Sequence, residues 1–475
     1  MTVQSSESSM SLRAFTRSLR RGLGSAIVVL KNNPEREKYR DIVMRSCLKD
    51  IAYDTQVEGT KGYYLYTAIA IFDDPDVFLS SVSARFSERL YWRLSEQLYD
   101  ILCCFSKDGY EAADYALENK YCDLVSRLPG QRDYDLRHCE REQLESLMIR
   151  KLDDGFESYK KCINDIGEMI LRRGSDECLW YDWFMTNASD RYRKDAYNYI
   201  ESAENKNVAA FRMWYNKSNS EEDSRKDGKI TTADKFSQTY TPKNHPHEKT
   251  TVTVEQLQNR AYEFAADGIG FPFRITTLSR KFAKHARKKE LIQLANIAIE
   301  ESSVFTKAAL LRAFSFVDFP LNIELLFPFV SSSDYFLREA VLETLSRFKD
   351  KQVRAIAIQQ LTEGHIDRAL KLLESNFETE DEKIVRKQIK KTKRITYGMA
   401  RSIIKIFGEH KSKTCGDILI HLYRNIECTH CRFDVIKVMI DNGVMPKNVL
   451  EECQYDSYEE TRALACKVLE SWQIK

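Results

Sequence analysis

The sequence predicts an all-α protein, and three observations lead to this prediction. The 475 residues include only 17 glycines and 9 prolines, which is few for the many turns of a sheet-rich fold. Apolar residues recur at helical spacing along most of the chain. Residues 333–364 carry two apolar stripes separated by a polar break, and neither helix can bury its stripe alone. Because such pairs become stable by stacking, we predict an α-solenoid of antiparallel helix pairs.

The pair at residues 333–364 shows this pattern most clearly. Its polar break lies at Lys349–Lys351, and its second helix is closed by Gly364, a residue typical of helix C-termini. The apolar positions of the two stripes are Leu337, Val341, Leu345, Val353, Ile356, Ala357 and Leu361. We expect this pair to build the stack rather than a functional site.

Composition divides the chain into three segments. Residues 1–215 predict helices of less regular spacing, and we interpret them as a degenerate N-terminal helical domain. Residues 216–251 are rich in Ser, Asp, Lys, Asn, Thr and Pro and lack apolar periodicity, which predicts a flexible polar linker or insertion. Regular helix pairs return in residues 252–475, the predicted C-terminal repeat domain.

The totals exclude some classes of function. The formal net charge is +2, so any attraction to nucleic acid or an anionic membrane must come from local patches. No apolar run approaches the roughly 18 residues that span a bilayer, and we expect no membrane association. The 12 cysteines are scattered and no export signal precedes them, which favours reduced thiols and a cytoplasmic protein.

A recurring pattern of Asp at a turn, Arg a few residues later and then apolar positions resembles the HEAT repeat family. The pattern appears at Asp334 and Arg338, at Asp350 and Arg354, and at Asp456 and Arg462. The whole chain also resembles uncharacterised bacterial HEAT-repeat proteins. The resemblance implies a HEAT-like superhelix in which these Asp and Arg residues tie successive repeats together, and it implies no reaction. Residues 1–215 depart from the pattern.

Two basic clusters are candidates for binding nucleic acid. One cluster consists of Lys383, Lys387, Lys390 and Arg394, which recur at steps of four, three and four. These residues share one face if a single helix runs through residues 383–401. A cluster at residues 277–289 precedes it, and two such helices in a curved solenoid would contact phosphates. The alternative is a solvated charged face. The candidates are Lys281, Lys284, Arg287, Lys288, Lys383, Lys387, Lys390 and Arg394.

A second candidate site lies in the irregular stretch Ala52–Tyr66. Its polar residues stand between two predicted helices among several tyrosines. One interpretation is a polar pocket, and the other is a loop whose acids cap the following helix. The pocket candidates are Tyr53, Asp54, Gln56 and Glu58.

The signal for a metal site is one cysteine pair. Cys428 and Cys431 form a CxxC motif, but structural zinc sites usually combine two such pairs. On a helix the same spacing also places two buried residues on one face. We therefore predict no metal and no other cofactor, and we keep this pair as a weak candidate.

Catalytic motifs do not occur in the sequence. It contains no GxxxxGK[ST], HExxH or GxSxG motif, so we expect that the protein is not an enzyme. Trp180, Asp182 and Trp183 resemble, by residue type alone, the tryptophans and acid of a helical-repeat DNA glycosylase family. An aromatic core cluster is the alternative.

Three functional hypotheses follow. The first is a non-enzymatic, cytoplasmic HEAT-like scaffold or adaptor that binds a protein partner on its concave face. The second is a solenoid that binds DNA or RNA through the basic helices 277–289 and 383–401. The third is a glycosylase-like enzyme.

Overall fold

The computed structural model describes residues 10–53, 58–127, 134–173, 182–223, 252–267, 271–392 and 394–473. All regular secondary structure in these ranges is helical, which confirms the predicted all-α fold. Within the same ranges, no helix combines the length and apolar character needed to cross a membrane. Contacts divide the chain into two compact units: unit 1 comprises residues 1–243 and 452–462, and unit 2 comprises residues 244–451 and 463–475.

Unit 1 contains eleven of the described α-helices. They are α1 (Leu12–Arg21), α2 (Gly24–Asn32), α3 (Arg40–Cys47), α4 (Gly62–Ile69), α5 (Asp76–Ser87), α6 (Trp92–Lys107), α7 (Glu111–Arg127), α8 (Tyr134–Lys151), α9 (Phe156–Arg173), α10 (Asp182–Ser202) and α11 (Lys206–Asp223). The even-numbered helices α2, α4, α6, α8 and α10 pack in succession, and α1 packs on α3, α5 on α7 and α9 on α11. Each helix of the unit therefore packs against a helix two positions along the chain.

The turn between α1 and α2 lies very close to the backbone of residues 452–462. Ser11 caps α1 by accepting a hydrogen bond from the Ala14 N–H, and Gly22 ends that helix at a φ of 74°. A Cβ atom on Gly24 would lie 1.7 Å from the carbonyl oxygen of Glu452. Only glycine fits there, because the opposing atom belongs to the backbone. Residues 452–462 thus pack directly on the α1–α2 turn.

Unit 2 contains the helices that follow residue 251. They are α12 (Val254–Asp267), α13 (Phe271–His285), α14 (Lys288–Glu300), α15 (Val304–Leu311), α16 (Tyr335–Leu345), α17 (Lys351–Thr362), α18 (Ile366–Leu373), α19 (Glu382–Lys391), α20 (Tyr397–His410), α21 (Gly416–Asn425) and α22 (Thr429–Asp441). Helices α23 (Lys447–Cys453) and α24 (Glu459–Gln473) follow, and each has residues in both units.

Helices α16 to α22 of unit 2 form two rows. Helices α16, α18, α20 and α22 pack in succession, as do α17, α19 and α21, while α17 also packs on α18 and α21 on α22. Buried apolar residues from both rows, such as Leu345, Leu361 and Ile403, fill the interior. The predicted pair at residues 333–364 corresponds to α16 and α17.

The Asp and Arg residues of the repeat pattern have distinct contacts. Asp334 and Asp350 cap their own helices, since their carboxylates accept from the N–H groups of the following first turn. Arg354 reaches the next repeat, where it pairs with Asp381 at 2.7 Å. Arg338 donates instead to the Ser332 carbonyl at 2.6 Å, and Arg462 donates to the Asp456 carbonyl at 2.9 Å. Arg354 thus pairs with a residue of the next repeat, whereas the hydrogen bonds of Arg338 and Arg462 go to carbonyls of their own turns.

Candidate binding surfaces

The aromatic strip, which we define as Val304, Phe305, Tyr335 and Phe336, lies where two helices of unit 2 begin side by side. Ser303 caps α15 and Asp334 caps α16, so the first turns of both helices start at fixed points. The two helices pack against each other. As a result, the Phe305 and Phe336 rings come within 6.3 Å, and the Phe336 and Tyr335 rings within 5.6 Å.

Three of the four side chains of the strip are exposed, although large apolar side chains usually lie in the core, and the fourth, Phe336, is half-buried. Tyr335 is 59% exposed and Phe305 is 46% exposed. The guanidinium of the neighbouring Arg338 also packs on the strip and lies 5.7 Å from the centre of the Tyr335 ring. Clustered exposed aromatics beside arginine have the composition of interface hot spots. The strip can therefore bury a large apolar area against another protein.

Sequence reasoning missed the strip. Tyr335 and Phe336 belong to the very pair that we expected to serve only the stack. Both precede the first stripe residue, Leu337, which is buried. The available signal was the position of two aromatic residues directly after an Asp N-cap, because first-turn residues ahead of an apolar stripe tend to point away from the core.

The basic corner is the junction of α13 and α14 in unit 2. Helix α13 ends at His285 and α14 begins at Lys288, so basic residues from two helix ends and their link are brought together. All of these side chains are exposed, and in the described part of the chain none forms an ion pair. The nearby Glu290 carboxylate accepts from the Arg287 backbone N–H at 2.7 Å. The basic corner comprises Arg280, Lys281, Lys284, His285, Arg287, Lys288 and Lys289.

The second basic cluster does not form one continuous face. Helix α19 ends at Lys391, and α20 begins at Tyr397 after the N-cap Thr396. The condition for a shared basic face, one helix through residues 383–401, is therefore not met, because the Thr396 hydroxyl accepts from the Met399 N–H and starts a new helix. Arg394 lies in the break between these helices.

The lysines of α19 differ in their environments. Lys383 and Lys387 are exposed, whereas Lys390 pairs with Asp417 at 2.6 Å. Helix α19 packs on α17 and α21, while α13 packs on α12 and on the 3₁₀ turn Arg312–Ser315. The two predicted basic clusters thus lie on helices with different neighbours.

The predicted polar pocket lies partly outside the described residues, since Asp54 and Gln56 fall in an undescribed segment. Tyr53 is 52% exposed. The Glu58 side chain is buried and lies 3.6 Å from the ammonium of Lys61, which is also buried. Lys61 further donates to the Arg20 carbonyl at 3.0 Å. In these contacts Glu58 acts as the counterion of a buried lysine.

The cysteine pair has a local structural role. Cys428 is the N-cap of α22, and its sulfur accepts from the Cys431 N–H at 3.5 Å. Both thiols are buried. Across the described ranges, no group of three or more His, Cys, Asp or Glu side chains is placed to hold a metal ion. Helix capping therefore accounts for the spacing of the pair.

The tryptophan and acid candidates lie at the edge of an undescribed segment. Trp180 falls outside the described residues, and α10 begins at Asp182 and includes Trp183.

A small cavity between α6 and α8 of unit 1 is a feature that the sequence did not reveal. Burial, reinforced by repulsion from Glu142, raises the pKa of Glu96 to about 7. The Ser95 hydroxyl and the Gln143 amide nitrogen also line the cavity, and neither has a hydrogen-bond partner within the described ranges. Glu96 is thus a half-buried carboxyl that titrates near neutral pH.

We expect unit 1 to lose stability as the pH rises from about 4.5 to 8. Since Glu96 binds its proton more tightly in the folded chain than in the unfolded chain, its contribution is present at low pH and is lost through pH 7. The loss is about 1 kcal/mol after allowance for solvent screening of a half-exposed group. Urea unfolding at several pH values in this range gives the free energy of unfolding at each pH. This free energy should fall less steeply with pH in Glu96→Gln than in the wild type. The exposed control Glu111→Gln should keep the wild-type slope, and an unchanged slope in Glu96→Gln would refute the assignment.

No protein-family model matches this chain, and no curated protein sequence matches it. The resemblance to the HEAT repeat family stays a prediction.

Proposed function

We propose that this chain is a non-enzymatic, cytoplasmic helical-repeat scaffold that binds a protein partner at the aromatic strip. The packing of helices two positions apart, in both units, supports the predicted stacked solenoid. The exposed aromatic strip is the observation that carries the proposal. Helical repeats present extended surfaces to which partners bind, and such binding requires no catalytic residues.

The chemistry of the strip defines the partner. Its rings offer an apolar surface, and Arg338 lies against Tyr335 at the same place. A matching segment has apolar side chains that pack on the rings and acidic groups that meet the arginine. We therefore propose a protein partner whose docking segment is both apolar and acidic.

Purification of the tagged full-length chain from its own cells, with nuclease and high salt, tests this function. We expect one protein to stay bound, because apolar burial is insensitive to salt screening. That protein must then bind the purified chain directly in a titration. If nothing stays bound after nuclease treatment, or if the purified components do not associate, the proposal fails.

Nucleic-acid binding is the second candidate, and the basic corner favours it. Its cations have no carboxylate partners among the described residues and are exposed at a helix junction. Such cations can replace the counterions of a phosphate backbone. We propose this function as the alternative, with the phosphates bound at the basic corner.

For this alternative, we expect Lys281→Ala/Lys284→Ala/Lys288→Ala to lower the salt dependence of oligonucleotide binding. Three lost phosphate contacts reduce the slope of log K against log salt by about 2. Fluorescence anisotropy with labelled single-stranded DNA and RNA measures this slope. The control Lys383→Ala/Lys387→Ala on α19 should change it by less than about 1. Binding by the wild-type chain that is absent, or independent of salt, rules this alternative out.

A further inference from the structure

The small cavity between α6 and α8 of unit 1 has the lining of a site for a positively charged group. The two helices pack against each other, and the Tyr99 hydroxyl of α6 donates to the Ser146 carbonyl of α8 at 3.0 Å. Ser95 and Glu96 of α6 line the cavity together with Glu142 of α8. Its volume is about 10 Å³, which admits a single group of the size of water. The compact ammonium group of a lysine has that size.

The polar groups of this cavity are able to accept hydrogen bonds. In the described part of the chain, the Glu96 carboxylate forms no hydrogen bond or ion pair. Ser95 is only 2% exposed, and its hydroxyl has no hydrogen-bond partner among the same residues. The Gln143 amide also lines the cavity without such a partner, and a half-turn of this group presents its oxygen. A buried polar group without a partner costs free energy, which a hydrogen-bonding ligand would offset.

The electrostatic surroundings of Glu96 favour a cation. The charged groups that shift its pKa are Glu142 on α8, Asp100 on α6 and Asp50 after α3, and all three are carboxylates. Burial and repulsion from these groups raise the pKa of Glu96 to about 7. Arg93 precedes Glu96 by three residues, but its guanidinium packs 5.3 Å from the centre of the Trp92 ring and forms no ion pair within the described ranges. A ligand cation would relieve this repulsion.

We infer that the cavity binds the ammonium group of a lysine side chain from a protein partner. The three N–H donors of an ammonium group match the Glu96 and Glu142 carboxylates and the Ser95 hydroxyl. Trp92 and Tyr99 complete the lining, and the faces of aromatic rings attract cations. A guanidinium group is larger and planar, so arginine does not fit a space of this size.

The surface around the cavity explains why the ligand is a protein segment. Because the cavity admits only the terminal group, the rest of the ligand must lie on the surface outside. Tyr91 is 58% exposed there, and its ring lies 6.1 Å from that of Trp92. Exposed tyrosine beside tryptophan is typical of binding hot spots. This surface belongs to unit 1, so the inference goes beyond the proposed function of the aromatic strip.

The test uses three fluorescent pools of random peptides with a central lysine, acetyl-lysine or arginine and no other basic residue. At pH 8 we expect the lysine pool to bind the full-length chain at least about tenfold more tightly than the other pools, because acetylation removes the charge and arginine exceeds the space. The preference should be at least about threefold smaller at pH 6, where Glu96 is protonated and neutral. Anisotropy titrations measure each affinity.

Variants of the cavity locate the binding site. Glu96→Gln and Ser95→Ala should each reduce the preference for lysine at pH 8, and Glu96→Gln should also abolish its change between pH 6 and pH 8. Glu111→Gln removes an exposed carboxylate of α7 and is the matched control, which should keep both properties. Thermal melts at or above the wild-type temperature show that the variants are folded. Equal binding of the three pools, an undiminished preference in Glu96→Gln, or an equal loss in Glu111→Gln overturns the inference.

Discussion

Replacement of Tyr335 and Phe336 by serine together will weaken binding of the purified partner by about 100-fold to 1,000-fold. Each ring that anchors an interface contributes about 2 kcal/mol, and each 1.4 kcal/mol is about a factor of ten in affinity. Calorimetric titration of the partner into the full-length chain measures the change. Tyr335 is exposed at the first turn of a capped helix, whereas Phe336 is half-buried, so a thermal melt equal to that of the wild type must accompany the titration.

Tyr397→Ser provides the matched control for this prediction. Tyr397 is also 59% exposed and is also the first residue of a capped helix, α20. We expect its replacement to change the affinity by less than about threefold, as for most peripheral surface residues. Equal effects of the two variants would show that the strip is not the docking surface.

Gly167→Ala will destabilise unit 1 by about 3 kcal/mol or more. Gly167 lies inside α9, and a Cβ atom there would come within 1.8 Å of the Asn207 carbonyl oxygen at the start of α11. Because the opposing atom is backbone, the two helices must separate to relieve the clash. Urea unfolding monitored by circular dichroism measures the loss.

Gly408→Ala is the corresponding control in unit 2. Gly408 lies inside α20, and the nearest atom to an added Cβ is the Val438 Cγ2 at 3.7 Å, an ordinary contact. Alanine should therefore stabilise this helix by about 0.5–1 kcal/mol through a lower entropy cost. If Gly167→Ala unfolds at the wild-type urea concentration, the close packing of α9 on α11 is incorrect.

Helical periodicity predicted the fold class because it reflects local burial. The pair at residues 333–364 corresponds to α16 and α17, and Gly364 follows the second helix with a φ of 88°. The shared face of basic residues expected at residues 383–401 does not form, because their regular spacing continues across a helix end. The Thr396 hydroxyl caps α20 by accepting a hydrogen bond from the Met399 N–H, and this capping signal outweighed the charge pattern.

The candidate sites were harder to predict because they depend on which helices become neighbours. The basic corner is visible as a charge run, but the absence of ion pairs there among the described residues depends on tertiary packing.

Site-specific photocross-linking in cells is the most direct test of the central claim. A benzophenone amino acid in place of Tyr335 keeps an aromatic ring on the strip, and the same group in place of Tyr397 or Lys284 provides controls. We predict a covalent adduct with one protein from position 335, identified by mass spectrometry and lost with Phe336→Ser. Adducts with nucleic acid from position 284, without any protein adduct from position 335, would contradict the scaffold function and favour the basic corner.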